Sequence, residues 1–264
     1  MAPLHMPVPT TEMLLATPNK FYLKRNFPNC VGSIDGKLIR LKCPSNSGSM
    51  YYNYKHYYSI VLQGLADARY GFIAIDFGAY GKQSDGEIFR YSSLYQFLSI
   101  NNFNMPNARK LQLSDVQLPF VIIGAEAYPL LSYLMRPYPR RQLTESRRPF
   151  NYRQSRGRRV VESAFGILAD KWRILNKPIE TSNMADRTVK CICVLHNTVT
   201  DREGVDEASL LELQNQEDSF CTCLDEPERQ VTRSNNRSNL RANVRDAFTV
   251  YFNSDMGRLT ENRH

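Results

Sequence analysis

The sequence predicts an α/β fold: a mixed sheet with helices on its faces. Three observations predict it. Three β-patterned runs follow one another between residues 31 and 77, a short wholly apolar run (PFVIIGA, 119–125) follows a helical segment, and a helical stripe runs from Gln154 to Leu175. Strands of that kind need helices to cover them, which is the layered arrangement of α/β domains.

The first 20 residues hold four prolines and no clear periodicity, and read as an N-terminal arm. VGSIDGKLIRLKC (31–43) alternates apolar and polar residues, with Gly36 read as a turn. PSNSGS (44–49) is a polar loop. Runs at about 57–66 and 70–77, joined around Asp67-Ala68-Arg69, predict a hairpin and so three antiparallel strands. Residues 85–99 carry apolar positions at helical spacing, with Ser84 or Asp85 as N-cap. Residues 100–118 read as loop, and PFVIIGA as a buried strand. Val161, Phe165, Leu168 and Trp172 fall at i, i+4, i+7 and i+11 of the long helix. Another helix covers 184–199. Residues 201–239 form a polar segment read as flexible, and a last helix spans about 240–252 before a tail to 264.

Composition narrows the function classes. A chain of 264 residues with 42% hydrophobic residues is long enough for a substantial core, and excludes disordered or collagen-like classes. No apolar run approaches the roughly 20 residues of a membrane-spanning helix, and no secretory leader pattern stands at the N-terminus. Six cysteines include two C-x-C pairs. Zinc is the sharper reading of them, but structural zinc sites space paired cysteines two to four residues apart, so free thiols in a reducing compartment are preferred.

Charge is more informative. The formal net charge is +8, and between Arg136 and Arg159 lie nine Arg, no Lys and one acid, Glu145. The whole excess therefore resides in 24 residues, which points to a polyanion-binding site. Tyr138, Phe150 and Tyr152 are interleaved with these arginines, a composition suited to DNA-backbone contacts and stacking. Arg147, Arg148, Arg153, Arg156, Arg158 and Arg159 are the candidate DNA-binding residues; the alternative is a solvated basic loop.

Four acids fall inside or beside core-facing patterns, where an unpaired charge is costly. Asp35 lies in the first strand, Asp76 near the end of the third, Asp85 at the start of the first helix and Glu162 within the long helix. Each has a simpler reading. Asp85 can cap its helix, Glu162 can pair with Arg158 or Arg159, Asp76 can end a strand, and Asp35 can mark a strand–turn corner at IDG. Together, such carboxylates can converge on Mg2+ or Mn2+, hard cations that favour oxygen. Two such ions about 3.5–4 Å apart would activate a nucleophile and stabilise the leaving oxygen of a phosphodiester.

NFPNCVGSIDGKLI, SGSMYYNYKHYYSIVLQGLAD, SDGEIF and PYPRRQLT…FNYRQSRGRRVVESAFGILADKWRIL occur in this order. This series resembles PIF/Harbinger-type transposases and the host nucleases derived from them, over about residues 20–180. The resemblance implies an RNase H-like nuclease domain over 21–200 with a DDE-type divalent-metal site for DNA cleavage and strand transfer. It implies Asp35 as the first catalytic acid, Asp85 as a metal-site acid and Glu162 as the final acid; localisation would be nuclear.

The third motif departs from the family pattern. Gly-Asp-x-x-Tyr-Pro-Leu is replaced by Gly124-Ala125-Glu126-Ala127-Tyr128-Pro129-Leu130, so a methyl group stands where the second acid is expected. Glu126 is the candidate substitute, although alternation near a strand end turns it to the other face. Leu38 replaces the family's usual His. Family members commonly carry an upstream helix-turn-helix region, so specificity here would come from a separate DNA-binding partner or a longer gene product. Two functions follow as expectations: a metal-dependent DNA endonuclease, or a host-adopted or decaying copy that binds DNA or a protein partner without cutting.

Overall fold

A computed structural model describes residues 5–99, 104–111, 114–180, 182–205 and 238–258. Its centre is β1 (Cys30–Arg40), which pairs antiparallel with β2 (Ser59–Ala66). β2 in turn pairs antiparallel with β3 (Phe72–Tyr80). On its other side β1 runs parallel to β6 (Val121–Gly124), followed by β7 (Leu134–Met135). The order β3-β2-β1-β6-β7 makes the predicted mixed sheet, consistent with an RNase H-like fold. A separate ribbon of β4 (Arg109–Lys110) and β5 (Gln117–Leu118) lies in the segment read as loop.

The hairpin forms where the sequence predicts it. Asp67 Oδ1 accepts from the backbone N–H groups of Arg69 and Gly71 at 2.8 and 3.1 Å, an Asx-type closure. Gly36, in contrast, does not turn the chain. It stays in β1 opposite Gln63, because the ladder with β2 continues unbroken from Ser33 to Arg40.

Two apolar clusters cover the two faces of the sheet. One joins Cys30, Ile60, Leu62, Phe72 and Ile123 to α4 (Arg148–Lys171), α5 (Ser182–Glu203) and α6 (Ser238–Asn253). The other joins Val31, Ile34, Leu65 and Ile122 to α1 (Thr11–Arg25), α2 (Asp85–Tyr91) and α3 (Ser93–Ser99).

Three readings of local structure are corrected. The segment read as an arm is helical from Thr11: Thr10 Oγ1 accepts from Met13 N, and Asn26 closes the helix in the left-handed region. Pro18 removes one helical hydrogen bond, but Leu14, Pro18 and Phe21 are buried, and that burial overrides local propensity. The single helix predicted over 85–99 is broken at Ser92, which is extended; its Oγ donates to Phe89 O and accepts from Tyr95 N. The long helix starts six residues earlier than predicted, at Arg148, and ends at Lys171 with a 3-10 turn beyond it. Most of the polar segment 201–239 lies outside the described residues, and no described helix is long and apolar enough to cross a membrane.

Candidate functional site

Alternation along β1 sets the positions of the candidate acids. Ser33 Oγ accepts from Val161 N of α4 at 3.1 Å, so Ser33 and, two residues on, Asp35 turn toward α4. Gly64, the partner of Asp35 across the ladder, likewise abuts Phe165 of that helix. Ile34 and Gly36 turn the other way, toward α2.

The second acid fills the space that Gly36 leaves. A Cβ at Gly36 would meet Asp85 Oδ1, so glycine there leaves room for the approach of that carboxylate. Gln63, buried in mid-strand, holds the start of α2: its Nε2 donates to Asp85 O at 2.9 Å and to Tyr128 Oη at 3.2 Å. Gly86 packs directly on Ala127 O, where any Cβ would collide with backbone. The SDG and GAEAYPL motifs, more than 35 residues apart in the chain, are thereby one unit. Tyr128 is buried, and burial with the nearby charges of Asp85 and Asp35 raises its phenol well above the ordinary value.

Glu162 lies on the α4 side with Asp35. Arg158 Nη2 stands 2.7 Å from Glu162 Oε1, one helical turn away. The Asp35 carboxyl is pushed up to about 7 by burial; the Arg158 guanidinium pulls it down, while the charges of Asp85 and Glu162 push it up. Asp35 also accepts from Gly36 N at 2.9 Å. Asp35 therefore senses Asp85, Glu162 and the Arg158 guanidinium. Asp76 is elsewhere: its Oδ1 accepts from Ser93 Oγ at 2.5 Å and Ser93 N at 3.3 Å, at the start of α3.

Position 125 follows the last register pair of β1 and β6, Ile34–Gly124, and so falls beside Asp35. The side chain there is a methyl packed on the α2-side cluster. Glu126 is exposed, and its charge acts on Arg136, whose Nη1 donates to Glu126 O and Tyr128 O at 3.2 and 3.4 Å. The charges that act on Asp35 are those of Arg158, Asp85 and Glu162; Glu126 is not among them.

The donor set does not fit a preassembled divalent-metal cage. The Asp35 side chain leaves β1 on one side and Asp85 approaches from the other, Glu162 is engaged by a guanidinium, and the side chain at position 125 offers no oxygen. Among the described residues, no three carboxylate, imidazole or thiolate side chains converge as metal ligands would.

Residues 34–197, more than half of the chain, match the family model described as DDE superfamily endonuclease. The chain belongs to that family. It is also 28% identical over 190 residues to "Protein ALP1-like" of Arabidopsis thaliana, covering 70% of this chain and 46% of that protein. It thus spans about half the length of the curated relative. No solved structure matches.

In this DDE-family domain the arginine-rich stretch divides by environment. Arg153, one of the DNA-binding candidates, is 3% exposed, its Nη2 donates to Gly257 O, and its guanidinium stacks 4.2 Å from the Phe252 ring centroid. Arg136 secures the third-motif loop, and Arg147 lies over Tyr138 while donating to Gln142 O at 2.9 Å. Arg148 pairs with Glu145 at 3.1 Å in the open. Arg148, Tyr152, Arg156 and Arg159 fall at i, i+4, i+8 and i+11 on one side of α4, with Tyr152 54% exposed and Arg156 over its ring.

Sequence reasoning missed the organisers of the site. Gln154 is buried and donates to Gly124 O at 2.5 Å, fastening the end of β6 to α4. Gln63 does the same for α2. A polar amide inside VLQGLA was the available signal, since burying it demands partners.

Proposed function

We propose that this chain is a transposase-derived nuclease domain that retains DNA binding and is impaired in cleavage at position 125. What supports the reading is Ala125, one residue past the last register pair of β1 and β6, at the position where the family resemblance implies a metal-binding acid. The basic stripe of Arg148, Arg156 and Arg159 on α4 would contact phosphates, and Tyr152 would add a stacking face. The family's divalent ion, Mg2+ or Mn2+, would need an added ligand at 125 and release of Glu162 from Arg158. Residues 21–200 form the proposed nuclease domain, followed by a polar segment at 201–239 and a C-terminal helix and tail at 240–264. A nuclear location and a separate DNA-binding partner complete the proposal.

A second reading is favoured by the charges of Asp85 and Glu162 that both act on Asp35: an endonuclease that works through these three acids. Nicking of supercoiled plasmid in Mn2+ separates the two. Impaired cleavage predicts no nicking by the natural chain, nicking gained by Ala125→Asp, and its loss when Glu162→Gln is added. Nicking by the natural chain that Glu162→Gln abolishes would establish the second reading instead.

A further inference from the structure

A second basic stretch lies outside the arginine-rich segment. From Gly36 to Ala66 there is no Asp or Glu, and there are four bases: Lys37, Arg40, Lys42 and Lys55. The same stretch contains YYNYKHYY (51–58), in which five of eight residues are tyrosine. This is the loop between β1 and β2.

The loop is held by its own hydrogen bonds. Asn53 is buried, its Nδ2 donating to Ser59 Oγ at 2.7 Å while its Oδ1 accepts from Lys55 N at 2.8 Å and Tyr57 N at 3.4 Å. Tyr52 packs edge-on against Tyr58 at 5.3 Å, and Tyr51 against Tyr80 at 4.9 Å. His56 turns the chain with φ 63°. On this frame Tyr54 is 71% exposed, with Lys55 Nζ 5.6 Å from its ring centroid. Arg40 covers the ring of Tyr57 at 4.4 Å.

The loop is also fastened to the segment that delivers Asp85. Lys82 N donates to Met50 O at 3.4 Å and Gly81 N to Ser59 O at 3.1 Å. Exposed Lys82 thus joins the same surface, three residues from Asp85.

We propose that the β1–β2 loop is a stacking platform for unpaired nucleotides, with Tyr54 taking a base and Lys55 and Lys82 taking the flanking phosphates. A flat aromatic face accepts any base, and the absence of acids over 31 residues suits a polyanion. An ordered loop pays little ordering entropy on binding. This rests on the DNA-binding reading above but adds a site apart from α4, one that selects strand ends or frayed segments over intact duplex.

Fluorescence anisotropy with the full chain tests it, using a blunt duplex and the same duplex with a 3′ single-stranded extension. The extended duplex should bind more tightly, and Tyr54→Ala should remove about a tenfold part of its affinity while leaving the blunt duplex unchanged. Tyr54→Phe should retain binding, since stacking needs the ring and not the hydroxyl. Equal affinity for both duplexes, or a Tyr54→Ala loss equal on both, would overturn the platform while leaving DNA binding intact. No binding to either DNA would overturn both readings. A poly-glutamate peptide bound with the same sensitivity to Tyr54→Ala would identify a protein-type partner and also overturn it.

Discussion

The Arg158 guanidinium stands 2.7 Å from the Glu162 carboxylate, one turn along α4, and the same cation also lowers the proton affinity of Asp35. One arginine therefore serves two acids that the family pattern would give to metal. Both partners are about one-third exposed or less, so the pair is only partly shielded from solvent. Its consequence is electrostatic more than stabilising.

Removing that cation should show at Asp35. With Arg158→Ala the opposing pull disappears, and the Asp35 carboxyl should titrate above its present value of about 7. Carbon-detected NMR titration of the Asp35 side chain reads this directly. An unchanged midpoint would separate Arg158 from Asp35.

Stability should depend on pH through the same group. The folded carboxyl keeps its proton to about 7, whereas the unfolded one loses it near 4, so folding takes up a proton between these limits. The contribution is fully present below about pH 4 and is lost as pH rises through about 7. Asp35→Asn should therefore raise Tm at pH 8 by roughly 4–8 °C, for about 2 kcal/mol in a domain of this size. The gain should shrink toward pH 5 in thermal melts.

Gly36→Ala should destabilise by roughly 1–3 kcal/mol, because its Cβ meets the Asp85 carboxylate. Adding Asp85→Ala should recover most of that loss, since the obstacle is a side chain. Gly86→Ala meets Ala127 O, a backbone atom, and should cost at least as much without rescue by any substitution at 127. Denaturant melts of the two series distinguish these outcomes.

Arg153 and Arg156 should part company. Arg153→Ala leaves Gly257 O without its donor and uncovers Phe252, for a loss of roughly 1–3 kcal/mol and no direct effect on DNA affinity. Arg156→Ala should leave Tm nearly unchanged and, together with Arg159→Ala, should flatten the salt dependence of DNA binding. The log–log slope should fall by about 0.9 for each phosphate that an arginine no longer neutralises.

Much of the fold was legible because its signals are local. The hairpin announced itself through Asp67 and the flanking β-branched runs, β6 through VIIG, and α4 through Val161, Phe165 and Leu168. The α1 helix was hidden because its stability comes from burying Leu14, Pro18 and Phe21, against the local vote of proline. The break at Ser92 was hidden because a serine that bonds its own backbone reads like any polar helix residue. At the site, the sequence named the acids but not their supports, since Gln63, Gln154 and Arg136 act on groups outside their own elements.

By itself the sequence determined the α/β order, the family, the three acids and the methyl at position 125. All are properties of residue identity, periodicity and motif order. The tertiary structure decided which charges meet. It set Asp35 and Asp85 on the two sides of β1, gave Glu162 to Arg158, and drew Arg153 out of the basic surface into the core. Those outcomes depend on strand alternation, register and helix packing, which bring together groups far apart in the chain and fix which face each one takes.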